Sequence, residues 1–219
     1  MNALDFSFCG ETLSAMPSGA LYWAAQDMLV VSDLHLGKSE RIARRGGTLL
    51  PPYDSEETLA RLADDIASAF PATVLCLGDS FDDLIAAEAL SDAIRTRLTS
   101  LQAGRRWLWL EGNHDPGPVD LGGTHLNEVT EGPLKFRHIA EAGTEPGEVS
   151  GHYHPKARLR RASRPCFMMD DTRLILPAYG SYTGGLDWTT PVLRDLFAEK
   201  AIAYLTGRQV LAVPVPRAA

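Results

Sequence analysis

Cysteine is scarce in this chain of 219 residues: there are three, at Cys9, Cys76 and Cys166, far apart, odd in number and in no Cys-x-x-Cys spacing. A disulfide framework and a thiolate zinc site are therefore excluded as organising features, and the thiols read as buried or spare. No apolar run approaches the ~18 residues of a membrane-spanning helix, and Met1 to Gly10 shows no basic segment followed by an apolar one. A soluble, cytoplasmic protein is expected. Net positive charge is also missing. Lys and Arg number 21 against 28 Asp and Glu, a formal charge of -7, which argues against coating nucleic acid by bulk charge but leaves room for a local basic groove. Flexible linkers and internal repeats are absent, and the length lies below the ~250 to 300 residues at which one core tends to split, so one domain over 1–219 is expected.

What the chain does contain is 45% hydrophobic and 22% charged residues, enough for an ordered core. Apolar runs at Phe6 to Phe8, Ala20 to Trp23 and Met28 to Val31, separated by turn residues, predict strands and hairpins. Asp54 offers a helix N-cap with Glu57 three residues on, and Leu59, Leu62, Ile66 and Phe70 follow at helical spacing. Thr73 to Leu77 and Trp107 to Leu110 read as further strands, with a helix over Leu84 to Leu101 between them. Helix and strand alternate, which points to an α/β layer arrangement. The second half instead carries short β-like runs at Leu134 to Ile139, Glu148 to Ser150, Cys166 to Met169, Arg173 to Leu176, Ile202 to Leu205 and Val210 to Val213. One helical candidate lies near Pro191 to Lys200. A second sheet packed on the first is expected.

Metal-binding side chains recur at the ends of these strands. Ser32-Asp33-Leu34-His35 follows the third run, Gly78-Asp79-Ser80-Phe81-Asp82 the fourth, and Glu111-Gly112-Asn113-His114-Asp115 the fifth. Gly151-His152-Tyr153-His154 follows the Glu148 to Ser150 run, where an extended segment would put both imidazoles on one face. Taken alone, Asp33-Leu34-His35 and Gly112 to Asp115 read more readily as polar turns, and His152 and His154 as incidental histidines. Together they form a mixed set of carboxylate, imidazole and amide oxygen, which suits manganese, iron or zinc better than magnesium. Two such ions clamp the attacking and leaving oxygens of displacement at phosphorus and generate hydroxide near neutral pH. Phosphoester hydrolysis is the chemistry expected.

In that order the segments Asp33-Leu34-His35, Gly78-Asp79-x-x-Asp82, Gly112-Asn113-His114-Asp115 and Gly151-His152-Tyr153-His154 resemble the signature of calcineurin-like metallophosphoesterases. The resemblance implies that Asp33, His35 and His154 hold one metal and Asn113 and His152 the other, with Asp79 and a hydroxide bridging both. It also implies one more histidine ligand. Leu134 to His138 reads as a strand delivering His138, whereas His125 reads as an ordinary loop histidine. His114 resembles the histidine that faces the scissile phosphate and protonates the leaving oxygen. A narrower similarity, carried by Ser32 to Lys38, Arg45-Gly46, Leu50-Pro51, Leu110 to Asp115 and Pro177-Ala178-Tyr179-Gly180, is to the bacterial ligase-associated DNA-damage-response phosphoesterases. Relatives often carry a histidine where Asp82 stands, a departure that leaves Asp82 without an assigned role. This likeness implies a two-sheet sandwich flanked by helices (αββα), manganese as the favoured ion and a DNA substrate, single-stranded in preference to duplex. It further implies ligase and helicase partners, and no membrane.

Basic residues adjoin the ligand segments. Lys38, Arg41, Arg44 and Arg45 follow His35, and Lys156, Arg158, Arg160, Arg161 and Arg164 follow His154. Lys38, Arg41, Arg45 and Arg158 are the candidate substrate-binding residues, although a solvated basic face explains such runs as well. Tyr153, Tyr179, Tyr182 and Trp188 could stack on bases or simply pack. Two other functions share the same ligands or fold: a phosphoesterase for a small nucleotide or lipid diphosphate, and a non-catalytic partner-binding module. A complete ligand set argues against the module.

Overall fold

The computed structural model describes residues 2–46, 53–159 and 162–216. The first three strands, β1 (Leu4–Phe8), β2 (Glu11–Ala15) and β3 (Leu21–Trp23), form an antiparallel meander that runs into β4 (Met28–Val31). Chain direction then becomes uniform: β4, β5 (Thr73–Cys76), β6 (Arg106–Leu110) and β7 (Thr124–Leu126) are mutually parallel. The first sheet thus has seven strands in sequence order. Its crossovers carry α1 (Lys38–Arg44), α2 (Asp54–Ala69), α3 (Leu84–Glu88) and α4 (Asp92–Gln102).

The second half supplies β8 (Glu128–Glu131), β9 (Leu134–Arg137), β10 (Glu148–Ser150), β11 (Lys156–Leu159), β12 (Ala162–Met169), β13 (Arg173–Ile175), the four-residue helix α5 (Pro191–Arg194), β14 (Ile202–Leu205) and β15 (Leu211–Pro214). These strands order as β15-β14-β12-β13-β10-β9-β8, with β11 paired to β12 as a hairpin. The mixed character lies at the centre, where β10 runs parallel to both β9 and β13.

Three apolar layers hold the sandwich together. Between the sheets, Leu13, Leu21, Trp23, Val30, Leu75 and Leu108 meet Phe136, Val149, Phe167 and Leu174, with Trp23 and Phe136 rings 6.3 Å apart. On the outer face of the first sheet Leu29, Val31, Val74 and Trp107 pack against Leu59, Leu62 and Ile66 of α2 and Ile94 and Leu98 of α4. That two-sided burial explains why β4 is apolar at every position, β5 at all but Thr73, and both are buried throughout. Cys166, Met168, Ile175 and Ala203 of the second sheet pack under Trp188, Leu193 and Phe197. All three cysteines are free.

Several local expectations are corrected. Tyr53, not Asp54, caps α2; the Asp54 carboxylate instead accepts from Ser39 N at 3.1 Å and Ser39 Oγ at 2.6 Å, tying α1 to α2. The helix expected over Leu84 to Leu101 breaks at Leu90, and Ser91 caps the second part by accepting from Ile94 N at 3.4 Å. The helix near Pro191 stops at Arg194. His125 lies on β7 rather than in a loop, stacked on Trp109. Gly47 to Pro52 with the Leu50-Pro51 segment, and Arg160 and Arg161, lie outside the described residues. No helix among the described residues is long and apolar enough to cross a membrane.

Candidate metal centre

Parallel register fixes the site. Val31, Cys76 and Trp109 are level across β4, β5 and β6, so the three segments after them leave the sheet side by side. Ladder bonds persist past the strand ends: Asp33 N donates to Gly78 O at 3.2 Å, His35 N to Asp79 O at 2.9 Å and Leu36 N to Ser80 O at 2.9 Å. From the second sheet, the segments after β9 and β10 are joined by Gly151 N donating to His138 O at 3.0 Å. Both sheets deliver their ends to one edge.

Gly151-His152-Tyr153-His154 is not extended as expected. His152 (φ 69°) and His154 (φ 46°) are left-handed, as are Asp33 (52°), His35 (46°) and Asp79 (47°). Non-glycine residues held there cost on the order of 1–3 kcal/mol each, and such strain concentrates at functional sites. The turn still brings both imidazoles in, each to a different neighbour. Gly151 is required by space, because a Cβ there would stand 1.7 Å from Ser32 Oγ and 2.5 Å from Asp33 Oδ2.

Asp33, His35 and His154 form one convergent group, and Asp79, His138 and His152 another, with donor atoms in each within 4.8 Å of one another. In the first, His154 Nε2 lies 3.1 Å from Asp33 Oδ1 and 3.4 Å from His35 Nε2. In the second, His138 Nε2 lies 3.3 Å from Asp79 Oδ2 and 3.0 Å from Asn113 Oδ1. Tautomers are fixed from behind. His35 Nδ1 faces Asp82 Oδ1 at 2.9 Å, and His138 Nδ1 donates to Leu77 O at 2.8 Å. In its neutral form each ring held this way aims an Nε2 lone pair at other acceptors, an arrangement that a cation between them would satisfy. His152 Nδ1 is buried without a hydrogen-bond partner among the described residues.

The local field is negative. Burial would raise the Asp79 carboxyl, but the His138 hydrogen bond and charge outweigh it and hold it at about 2. Asp33 is fully buried and still held below the usual carboxylate range, the cost of burial being overcome by bonds to His154 and Ser32. Burial would lower His138, yet Asp79 and Asp33 push it up to about 9. Positive charge at that position, proton or metal, is favoured.

Two further carboxylates hold these side chains, and one of them, Asp82, forms a third convergent group with His35 and His114. Asp115 accepts from the backbone N–H of Asp79 (3.0 Å), Ser80 (2.8 Å), Phe81 (3.1 Å) and Gly112 (2.9 Å), clamping the second and third segments together. Asp82 is buried and touches His35, Arg41 and, at 3.9 Å, Lys38; burial would raise it, but these partners hold it at about 2. Its backbone carbonyl is 2.8 Å from His114 Nδ1, so His114 Nε2 is left on the open side, 4.0 Å from Asp79 Oδ2. The expected substrate cations fare differently. Lys38 and Arg41 are engaged by Asp82, Arg45 is exposed at the end of α1, and Arg158 is exposed on β11. Arg44 pairs with Glu40 and Asp83, and Arg164 is spent on the carbonyls of Thr206 and Gln209. The position of Asp115 in the Asn-His-Asp segment was the one sequence signal for its role, and the Asp-x-x-Asp spacing the one for Asp82.

The family model for calcineurin-like phosphoesterases matches residues 27–154, a stretch that contains every residue of both groups. The chain belongs to that family. Among solved structures, this phosphoesterase is similar to the Pseudomonas putida nuclease MPE, at 30% identity and a TM-score of 0.77, covering 96% of this chain and 100% of that one. YfcE, a phosphoesterase from E. coli, matches at 12% identity and a TM-score of 0.39 over 86% of this chain and 99% of its own, a likeness too weak to carry any argument. No curated protein matches significantly.

Proposed function

We propose that this phosphoesterase cuts DNA phosphodiester bonds, single-stranded DNA in preference to duplex, using two divalent ions held by seven side chains. Asp33, His35 and His154 would hold one ion, Asn113, His138 and His152 the other, and Asp79 would lie between them. When bound, the ions supply Lewis acidity at the phosphoryl oxygens and lower the pKa of water. The mixed oxygen and imidazole donor set supports manganese, with iron or zinc as substitutes. His114, anchored through Nδ1 and open at Nε2, is suited to donate a proton to the leaving oxygen. Lys38 and Arg41, bridged to the site by Asp82, and the exposed Arg45 and Arg158, are candidates to meet the substrate backbone.

The observation that carries the nuclease reading is the end-to-end similarity to a protein described as a nuclease. The resemblance of the Ser32 to Lys38, Leu110 to Asp115 and Pro177 to Gly180 segments to ligase-associated phosphoesterases supports a cytoplasmic role in DNA repair beside a ligase and a helicase. The test is metal-dependent hydrolysis of single-stranded DNA, duplex DNA and small phosphodiesters side by side, with Asp79→Ala as control. Cleavage of DNA that needs both manganese and Asp79 is expected. Activity confined to small monoesters would overturn the reading.

A further inference from the structure

The two flanks of the metal centre differ in charge. On one side lies a cavity of about 380 Å³ whose wall includes Arg61, Lys156, Ser181 and Tyr182, within the size range of small-ligand sites. It adjoins the first ligand group directly. Gly180, in its wall, donates its N–H to Asp33 O at 3.0 Å, and a Cβ on Gly185 would meet both His154 O at 2.3 Å and Lys156 Cε at 2.9 Å. Lys156 Nζ has the Thr183 carbonyl at 3.0 Å as its partner, and no carboxylate is within ion-pair distance of it among the described residues. Arg61 donates to Tyr179 O and lies 4.7 Å over the Tyr179 ring. Its acidic neighbour Asp65 is already occupied by the Tyr179 hydroxyl at 2.7 Å. Ser181 is buried, and its Oγ has no hydrogen-bond partner among the described residues. Tyr182 is left-handed (φ 57°) and 47% exposed. Glu57, which is exposed, is the one carboxylate in this wall among the described residues.

The opposite flank, beside Asn113 and His138, is a cavity of about 400 Å³ lined by Glu111, Glu128 and Glu141. Its one arginine or lysine among the described residues, Arg137, is consumed by Glu128 at 3.0 Å and by Glu141. A polyanion crossing the metals would be attracted on one side and repelled on the other.

We propose that the Arg61–Lys156 cavity is a phosphate subsite for the nucleic-acid strand on one side of the scissile bond, and that the strand is held on that side only. The inference rests on the nuclease reading above and adds where the strand lies. Arg61 and Lys156 meet a flanking phosphate, Ser181 Oγ offers a hydroxyl to it, and Tyr182 presents a ring to the adjoining base.

The experiment uses the manganese-loaded protein and two isomeric oligonucleotides, neutral methylphosphonates replacing the phosphates on the 5′ side of one chosen diester in the first and on its 3′ side in the second, with cleavage at that diester read by end-labelling. The two should differ in kcat/KM by about 10-fold, as expected for losing the flanking contacts on one side. Lys156→Gln and, separately, Arg61→Gln should erase that difference and reduce the salt dependence of KM by a slope of about one, while Lys156→Arg restores both. Because Arg61 packs on Tyr179, each variant is also measured on a small phosphodiester, and the ratio of the two activities is the readout. Equal kcat/KM for the two isomers, or an unchanged ratio and salt slope in both Gln variants, overturns the subsite while leaving the nuclease reading intact. Hydrolysis of the small diester with no cleavage of any oligonucleotide overturns that reading and the subsite with it.

Discussion

His152 and His154 are two residues apart yet face different groups, His154 beside Asp33 and His35 and His152 beside Asp79 and His138. Replacing each by Ala is expected to weaken a different ion, read by stoichiometric manganese titration. Emptying of the same site by both variants would refute the division. His114 differs in kind, since its ring is fixed by a backbone carbonyl and it converges with His35 and Asp82 rather than with either of the other two trios. His114→Ala should keep both metals but slow an unactivated diester by roughly 10²- to 10⁴-fold, with a smaller loss on a nitrophenyl ester whose leaving group needs no proton. Asp82→Asn removes the charge shared by His35, Arg41 and Lys38. A loss of about 10- to 100-fold in affinity for the ion at Asp33, His35 and His154 is expected, with the other ion less affected, as calorimetry would show. Equal loss at both ions would mean that Asp82 acts on the fold rather than on His35.

At the scale of elements, the close approach of the loops sets the tolerance of the site. Gly151→Ala places a methyl into Ser32 Oγ and Asp33 Oδ2, so a lower Tm together with reduced metal content is expected. Adding Ser32→Ala should restore only part of it, because the Asp33 contact remains. The same scale shows what the sequence reveals and what it hides. Strands β4, β5 and β6 are legible because each is a short, mainly apolar run ending in a candidate ligand, β9 because Leu134 and Phe136 alternate with polar residues before His138, and the candidate segments because their order is so specific. β7 and β8 are not, since Thr124-His125-Leu126 and Glu128-Val129-Thr130-Glu131 hold few apolar residues and join their sheets through backbone pairing at exposed edges. Left-handed backbone at His152 and His154 is equally hidden, because strain of this kind is set by the contacts that surround it and not by local preference. Nor could spacing disclose that Arg41 would meet Asp82 or that Arg164 would be spent on carbonyls, both being pairings between segments distant in the chain.

For the whole molecule, each ligand group draws on both sheets: Asp33, His35 and Asp79 follow strands of the first, while His138, His152 and His154 follow strands of the second. Bound ions would therefore fasten one sheet to the other. Removal with a chelator should lower Tm in a way that depends on free metal, the stabilisation growing to about 2.7 kcal/mol when the ion stands at 100 times its Kd. Differential scanning calorimetry with and without manganese checks this, and a Tm indifferent to metal would mean that the groups are already satisfied without it.

The central position of β10 has a temporal consequence. The two histidines that follow it can be held in place only when β10 is flanked on both sides, and one flank, β13, together with β12, β14 and β15 beyond it, is encoded after His154. A chain still emerging from the ribosome, with His154 exposed but the following strands unsynthesised, lacks β11 to β15, five of the eight described strands of the second sheet. At the proposed centre, ion capture would thus wait until β12 to β15 have emerged, and a copy stopped short of them would lack the flank that holds His152 and His154 in place.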